Sequence, residues 1–301
     1  MLQLKSLRAG TACYLSILPT ITLLAIFSFL PMFMAFYNSF FEYEVGGERT
    51  FLGFSNYLDY LTNDPTTAIS FLNMTILTGI AILIRLSIPL IVAKLIYSLP
   101  DERHRYLYRL AFLIPTVVPG VAIQLIWGML ILGETGLVNS ILELFGGEDM
   151  VRGWLSDPDT ALLALACIGF PWITGFEVLI YYAGLSNIPE SVHEAAELDA
   201  AVGIKKFFLI DVPMVLSQIK LIFMLVIIGG IQGFEFIFIL TQGGPGFETY
   251  VPGLWMYENA FSFQKMGYAS SIGVILFVVI LFFTIVNMRY FRSAEELQGV
   301  R

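Results

Sequence analysis

Six stretches of this chain are each long and apolar enough to cross a membrane: about 14–37, 70–97, 109–132, 160–183, 217–241 and 266–290. Spanning a hydrocarbon core takes roughly 20 mainly apolar residues in a helix. No other open-chain structure satisfies its own backbone polar groups there. Only 13% of the 301 residues are charged, and mean hydropathy is +0.79, values that exclude an ordinary soluble domain. The expected fold is therefore all-α and integral to the membrane, a single domain over 1–301. The first stretch follows Lys5 and Arg8 but is too long for a signal peptide and lacks a small-residue cleavage site, so it reads as a retained span. The second contains Arg85 and Lys94, and the third opens on Pro115 and Pro119.

Lys and Arg accumulate on the cytoplasmic side of membrane proteins. With the N-terminus inside, Lys5, Arg8, Lys94, Arg103, Arg105, Arg109, Lys205, Lys206, Lys220, Arg289, Arg292 and Arg301 are cytoplasmic. Only Arg49, Arg152 and Lys265 fall outside, and Arg85 lies within the membrane. Both termini and the 187–212 loop are thus expected in the cytoplasm, and the chain in a prokaryotic inner or plasma membrane.

No phosphate-binding GxxxxGK[ST] loop occurs; Gly243, Gly244 and Gly246 precede no lysine. HExxH and GxSxG are absent, and His104 and His193 belong to no catalytic pattern. Cys13 and Cys167 sit in apolar runs without a CxxC or Cys/His cluster and read as buried small side chains. Catalytic, metal and nucleic-acid sites are not expected. A polytopic protein without its own engine uses an ion gradient or borrows an engine from another chain.

The loop between the fourth and fifth stretches, "EAAELDAAVGIKKFFLIDVP" (Glu194–Pro213), stands out as polar. Pro189 suits a helix start, while Ser191 and Glu194 fit a capping box two residues later. Gly203 is the expected break after this helix, with a second short helix over Lys205–Phe208 and Pro213 at the start of the next span. Val192, Ala195, Ala196 and Ala200 form a small-residue face, bordered by Glu190, Glu194 and Glu197. Phe207 and Phe208 add apolar anchors. A smooth face with an acidic border fits a partner's groove better than a lipid surface, which favours Lys and Arg.

This loop resembles the EAA motif of binding-protein-dependent ABC importer permeases. Glu194, Ala195, Ala196, Ile210 and Pro213 match in register, and Asp199, Ala201 and Phe207 match its sugar-permease version. Ala200 stands where the motif has Gly and Val212 where it has Leu, so the helix is expected to continue through Ala200 to about Val202. "TQGGPGFET" (Thr241–Thr249) and "GYASS" (Gly267–Ser271) resemble further family segments. The likeness is to carbohydrate-uptake permeases of the maltose and glycerol-phosphate type.

The resemblance implies the type I importer permease fold and a pair of permease subunits, commonly non-identical. It implies two ATPase subunits that bind ATP and Mg, an extracytoplasmic solute-binding protein, and no cofactor in this chain. The coupling contacts it implies are Val192, Glu194, Ala195, Ala196, Asp199, Ala200, Gly203 and Phe207. The substrate path is expected near the bilayer midplane, with carbohydrate passing Trp172, Ile173, Phe176 and Glu177 in the fourth span. In the fifth, Val226, Gly229, Gly230 and Gly233 share a face, which provides either close helix packing or room for a ligand. Arg85, Glu177 and Glu235 are intramembrane charges; Arg85 is expected to pair with one of the carboxylates or to touch an acidic sugar. The alternative function is a gradient-driven secondary transporter, which calls for repeats and discontinuous helices; the sequence displays neither.

Overall fold

The computed structural model describes residues 14–44 and 46–290. Lys5, Arg8, Cys13, Arg292 and Arg301 lie outside the described residues, and with them the expected placement of both termini. The chain divides into two units, one of residues up to Asp64 plus Trp255–Ile275, the other of Pro65–Leu254 plus residues from Leu276.

In the first unit, α1 (Tyr14–Asn38) is followed by a two-stranded antiparallel ribbon, β1 (Phe41–Glu42) and β2 (Thr50–Phe51). Asn56 Nδ2 donates to the Ser39 and Phe41 carbonyls at 2.9 and 3.0 Å and so fixes the end of α1. The Asp64 carboxylate accepts from the Trp255 indole at 2.7 Å and the Tyr268 hydroxyl at 2.6 Å. The Gly267 amide donates to the Tyr43 carbonyl at 3.1 Å. A Cβ at Gly267 would overlap the Phe41 carbonyl, so only glycine permits this approach.

The second unit is organised by α2 (Thr66–Tyr97), 32 residues without a break. The helix runs through Arg85 and Lys94 because each cation meets a carboxylate from another element: Glu177 at 3.1 Å and Asp211 at 2.6 Å. Asp101 opens the next helix by accepting the Arg103 amide at 3.1 Å. That bond, with His104 beside it, holds the Asp101 carboxyl below its ordinary range. Then follow α3 (Glu102–Val117) and α4 (Gly120–Ile131), which meet at 86°. Pro119 and the extended backbone of Val118 form the corner, so the expected third span is not one straight helix from 109. A small helix, α5 (Leu137–Leu144), lies beyond.

The expected fourth span, 160–183, is discontinuous. It consists of α6 (Ala161–Cys167) and α7 (Gly175–Ser186). Between them, Gly169 at φ +83° and Trp172 at φ +56° leave helical space, and Pro171 supplies no amide. Cys167, expected to be buried, ends α6 and is exposed. The loop carries α8 (Glu190–Leu198) and leads into α9 (Ile204–Met214), which meets α10 (Leu216–Gln232) at 70°. The fifth span is broken again at Gly233 and Phe234 before α11 (Glu235–Leu240). Last come α12 (Pro252–Phe261) and α13 (Met266–Tyr290). Among the described residues three helices are long and apolar enough to cross a membrane, five if each bent pair counts once.

The core of the second unit is where α2, α7 and α10 meet. Ala93, Val178, Tyr181, Leu185 and Ile222 are fully buried there. Asn73 of α2 ties down the loop 241–251 by donating to the Glu248 and Tyr250 carbonyls at 2.9 and 3.0 Å. Within that loop the Thr241 and Thr249 hydroxyls hydrogen-bond each other at 2.8 Å, and Thr249 Oγ1 donates to the Gly244 carbonyl.

The helix expected to run to Val202 stops at Leu198. The Ala201 amide donates to Ala196 O at 2.8 Å and the Ala200 amide to Glu197 O at 3.1 Å. This is the glycine-type helix end, with Ala200 at φ +50° in the left-handed seat. The side chain changes but the turn does not, because the two terminal carbonyls still need those amides.

Two outcomes follow. Ala200→Gly removes about 1 kcal/mol of left-handed strain, and hydrogen exchange should slow about fivefold at the last turn of α8. Asn73→Ala leaves the buried Tyr250 carbonyl and the part-buried Glu248 carbonyl without this donor, and thermal melting of the detergent-purified chain should register a loss of about 1–3 kcal/mol.

Candidate functional site

A cavity of about 480 Å³ opens within the second unit, bounded by α2, α4, α10 and the interruption between α6 and α7. Non-helical backbone is tolerated at membrane depth where it lines a cavity, and Ile168, Gly169, Trp172 and Thr174 of the interruption do so. Most of the wall is aliphatic. The polar exceptions converge: Thr78 Oγ1, Gln124 Oε1, Trp172 Nε1 and Thr174 Oγ1 are buried and have no hydrogen-bond partner among the described residues. Buried polar groups are otherwise nearly always satisfied. Four residues that carry such atoms line one space and give its apolar wall polar side chains, as in ordinary ligand sites.

Arg85 is the charged residue lining the cavity. Its Nη1 lies 3.1 Å from Glu177 Oε1; the arginine side chain is 45% exposed and the glutamate 7%. Glu177 thus sits behind the guanidinium, outside the lining. The pair is neutral overall, as a membrane interior requires, yet the guanidinium keeps donors free for the cavity.

The structure brings together Arg85, Trp172, Gly229, Gly230 and Gly233 around this space. It does not bring Ile173, Phe176 or Glu235. Ile173 packs into the core of the second unit. Phe176 is 56% exposed, and Glu235 is exposed in the first turn of α11. Trp172 and Ile173 precede α7, so they share no helix face with Phe176 and Glu177. The two readings of the glycines divide between residues. A Cβ on Gly230 would stand 2.5 Å from Thr78 Oγ1, so Gly230 serves packing against α2. A Cβ on Gly229 would meet nothing within 4 Å, so Gly229 opens onto the cavity. Thr78, Gln124 and Thr174 were missed. The lone glutamine of 109–132 was a usable signal, since an amide in an apolar span needs a partner.

The second region is the 187–212 loop. Pro189 is the N-cap of α8 and no side chain caps it, so the Ser191–Glu194 capping box does not form. The small-residue face expected to meet a partner is divided. Ala196 is 3% exposed and Val192 packs into the chain's own core, as does Phe207. Ala195, Glu194, Asp199, Ala200 and Gly203 are exposed. The outward apolar residues are instead Leu198 at 88%, Ile204 at 79%, and Val202 and Phe208 at 63%. The inward orientation follows from His193, 6% exposed, whose Nε2 lies 3.2 Å from Tyr97 OH.

Solved structures with this fold include a bacterial ABC transporter involved in the import of the acidic polysaccharide alginate, at TM-score 0.81 and 20% identity, covering 97% of this chain and all of that one. A second is a bacterial alginate ABC transporter in complex with an alginate pentasaccharide-bound periplasmic protein, at TM-score 0.79 and 20% identity over 96% and 98% of the two chains. The sulfoquinovosyl glycerol transport system permease protein SmoG of Agrobacterium fabrum is 31% identical, over 92% of this chain and 89% of that protein. The trehalose/maltose transport system permease protein MalF of Thermococcus litoralis is 30% identical over 94% of each. The model of the binding-protein-dependent transport system inner membrane component matches residues 86–294, most of the chain, and the chain belongs to that family: it is a multi-pass transport component of the inner membrane, a permease subunit of an ATP-driven importer.

Proposed function

We propose that this permease carries carbohydrate, and that the cavity beside Arg85 is its half of the translocation path. The carrying observation is an apolar cavity lined by Arg85 and by four polar side chains, Thr78, Gln124, Trp172 and Thr174, each with a buried atom that no described protein group satisfies. Sugars need both features. Hydroxyls take paired donors and acceptors, and the indole face stacks on the C–H surface of a ring. The names of relatives such as SmoG and MalF support the same class.

In this reading both termini and the 187–212 loop are cytoplasmic. A second permease completes the path, and an extracytoplasmic binding protein delivers the solute. Two ATPase subunits, which bind ATP and Mg, dock on the loop. Their contact is the exposed Leu198, Val202, Ile204 and Phe208 with the Glu190–Glu194–Glu197 border; exposed apolar clusters of this kind mark partner surfaces. Ala195, Asp199, Ala200 and Gly203 lie at its margin, while Val192, Ala196 and Phe207 fix the loop to its own bundle.

Uptake of labelled sugar by membranes carrying the assembled importer tests the path. Gly229→Leu fills open space on a helix that tolerates leucine; the complex should assemble and uptake should fall by at least about tenfold. Gly230→Ala collides with Thr78, and its effect should appear as reduced thermal stability. For the docking surface, Leu198→Asp with Ile204→Asp should abolish co-purification of the ATPase subunits while leaving the melting temperature of the permease unchanged. Normal co-purification would refute the docking surface, and unimpaired uptake by Gly229→Leu would refute the path.

A further inference from the structure

The 187–212 loop is attached to the chain in an uneven way. On its N-terminal side α7 runs to Ser186 and turns directly into α8. On its C-terminal side the backbone passes through two left-handed residues, Ala200 at φ +50° and Gly203 at φ +58°. Two such turns within four residues interrupt the helical hydrogen bonding between α8 and α9, so no continuous helix carries a push on α8 into α9. Stiffness has to come from side chains.

Two side-chain contacts reach the loop from the last turns of α2. Lys94 Nζ lies 2.6 Å from Asp211 Oδ2, with Asp211 fully buried and Lys94 22% exposed at the side chain. The contact is an ion pair rather than an aligned hydrogen bond. Three residues on, Tyr97 OH meets His193 Nε2 at 3.2 Å. Asp211 belongs to α9 and His193 to α8, so the pair of contacts straddles both left-handed turns. Residues three apart lie on one face of a helix, and both contacts therefore pull on the same face of α2. The groups around them hold that face: Arg105 stands 5.7 Å over the Tyr97 ring, Tyr182 packs edge-on to it, and Arg109 lies 4.4 Å over Tyr182.

At a rise of about 1.5 Å per residue, Lys94 lies roughly 13 Å along α2 from Arg85. Arg85 lines the cavity, and Thr78 lies two further turns up the same helix. Pro89 interrupts the hydrogen bonding between Arg85 and Lys94, and α7 splints the weak turn: Tyr181 OH donates to the Leu86 carbonyl at 3.4 Å, and Leu90 packs with Val178 and Tyr181.

From this we infer that Lys94–Asp211 and Tyr97–His193 are positioning contacts. They clamp the coupling loop to α2, and α2 carries the loop's displacement to the Arg85 end of the cavity. The inference rests on the docking of ATPase subunits proposed above. It adds which residues transmit the motion once docking has occurred, and none of the four belongs to the proposed docking or cavity surface.

The test is the ratio of sugar transported to ATP hydrolysed, measured on the full importer with its binding protein in proteoliposomes. Tyr97→Phe deletes one hydroxyl, and Asp211→Asn one charge; Lys94 can then extend its ammonium towards the aqueous boundary. Each variant should co-purify with the ATPase subunits and hydrolyse ATP, while sugar moved per ATP falls roughly tenfold, within the usual range of coupling between sites. Exchanging the charges, Lys94→Asp with Asp211→Lys, should restore at least part of the ratio that Asp211→Asn loses. If Tyr97→Phe and Asp211→Asn reduce only the amount of assembled complex, with an unchanged ratio, the contacts are merely structural and the inference is overturned. Failure of the unaltered importer to couple ATP to sugar uptake would instead count against the proposed function.

Discussion

Two cations inside one apolar helix must be neutralised by other elements, and that requirement organises the second unit. A guanidinium within the membrane without a counter-charge is costly, as is the fully buried Asp211 carboxylate without its ammonium. Arg85 therefore draws in Glu177 of α7, and Lys94 draws in Asp211 of α9. These contacts explain why α2 can run for 32 residues through charged positions, and why α7 and the loop pack where they do. Hydrophobic burial is a weak guide to register among lipid-facing helices, because lipid tails are as apolar as leucine. The ion pairs and the small-residue contact of Gly230 with Thr78 supply a register that apolar packing alone would leave loose.

The discontinuous helices follow from a second constraint. An interrupted helix frees backbone groups, which hydrocarbon cannot satisfy but a cavity or a protein neighbour can. The break at 168–174 faces the cavity with Ile168, Gly169, Trp172 and Thr174, and Gly233 at the second break lines the same space. Unwound backbone and cavity thus require each other here. Discontinuity on its own would equally suit a gradient-driven transporter; family membership separates the two.

Hydropathy located the apolar stretches because their signal is carried by composition over twenty residues. It was blind to the interruptions at Pro171 and Gly233, which change direction but not composition. A carboxylate partner for Arg85 was legible, since an intramembrane arginine needs one; that it is Glu177 rather than Glu235 was not, because it depends on how α7 packs on α2. Lys94–Asp211 was not, because both residues sit at span ends, where solvation by water is the ordinary assumption. Helix geometry grouped Val192, Ala195, Ala196 and Ala200, but α8 ends before Ala200 and turns Val192 and Ala196 inward; that orientation depends on His193, whose partner Tyr97 is 96 residues away in sequence. Substitution of Gly by Ala at position 200 misled for a different reason. A propensity of about 1 kcal/mol was weighed against a helix end enforced by two hydrogen bonds and the burial of Ala201 at 6% exposure, and the tertiary terms prevail.

The neighbouring glycines Gly229 and Gly230 show why residue type alone could not divide packing from function. They are one residue apart on α10, about 100° of rotation. That rotation is the difference between facing Thr78 of α2 and facing open cavity. Gly230 lets α10 approach α2 closely, and the approach brings Val226 and Gly229 to the cavity edge beside Thr78. Packing at one glycine thereby creates the room at the next. Thr78 participates in both: its Oγ1 and methyl fill the space a Cβ on Gly230 would need, and the residue lines the cavity. A site made in this way is carried by the helix contact itself, so any shift of α2 relative to α10 alters the shape of the cavity directly.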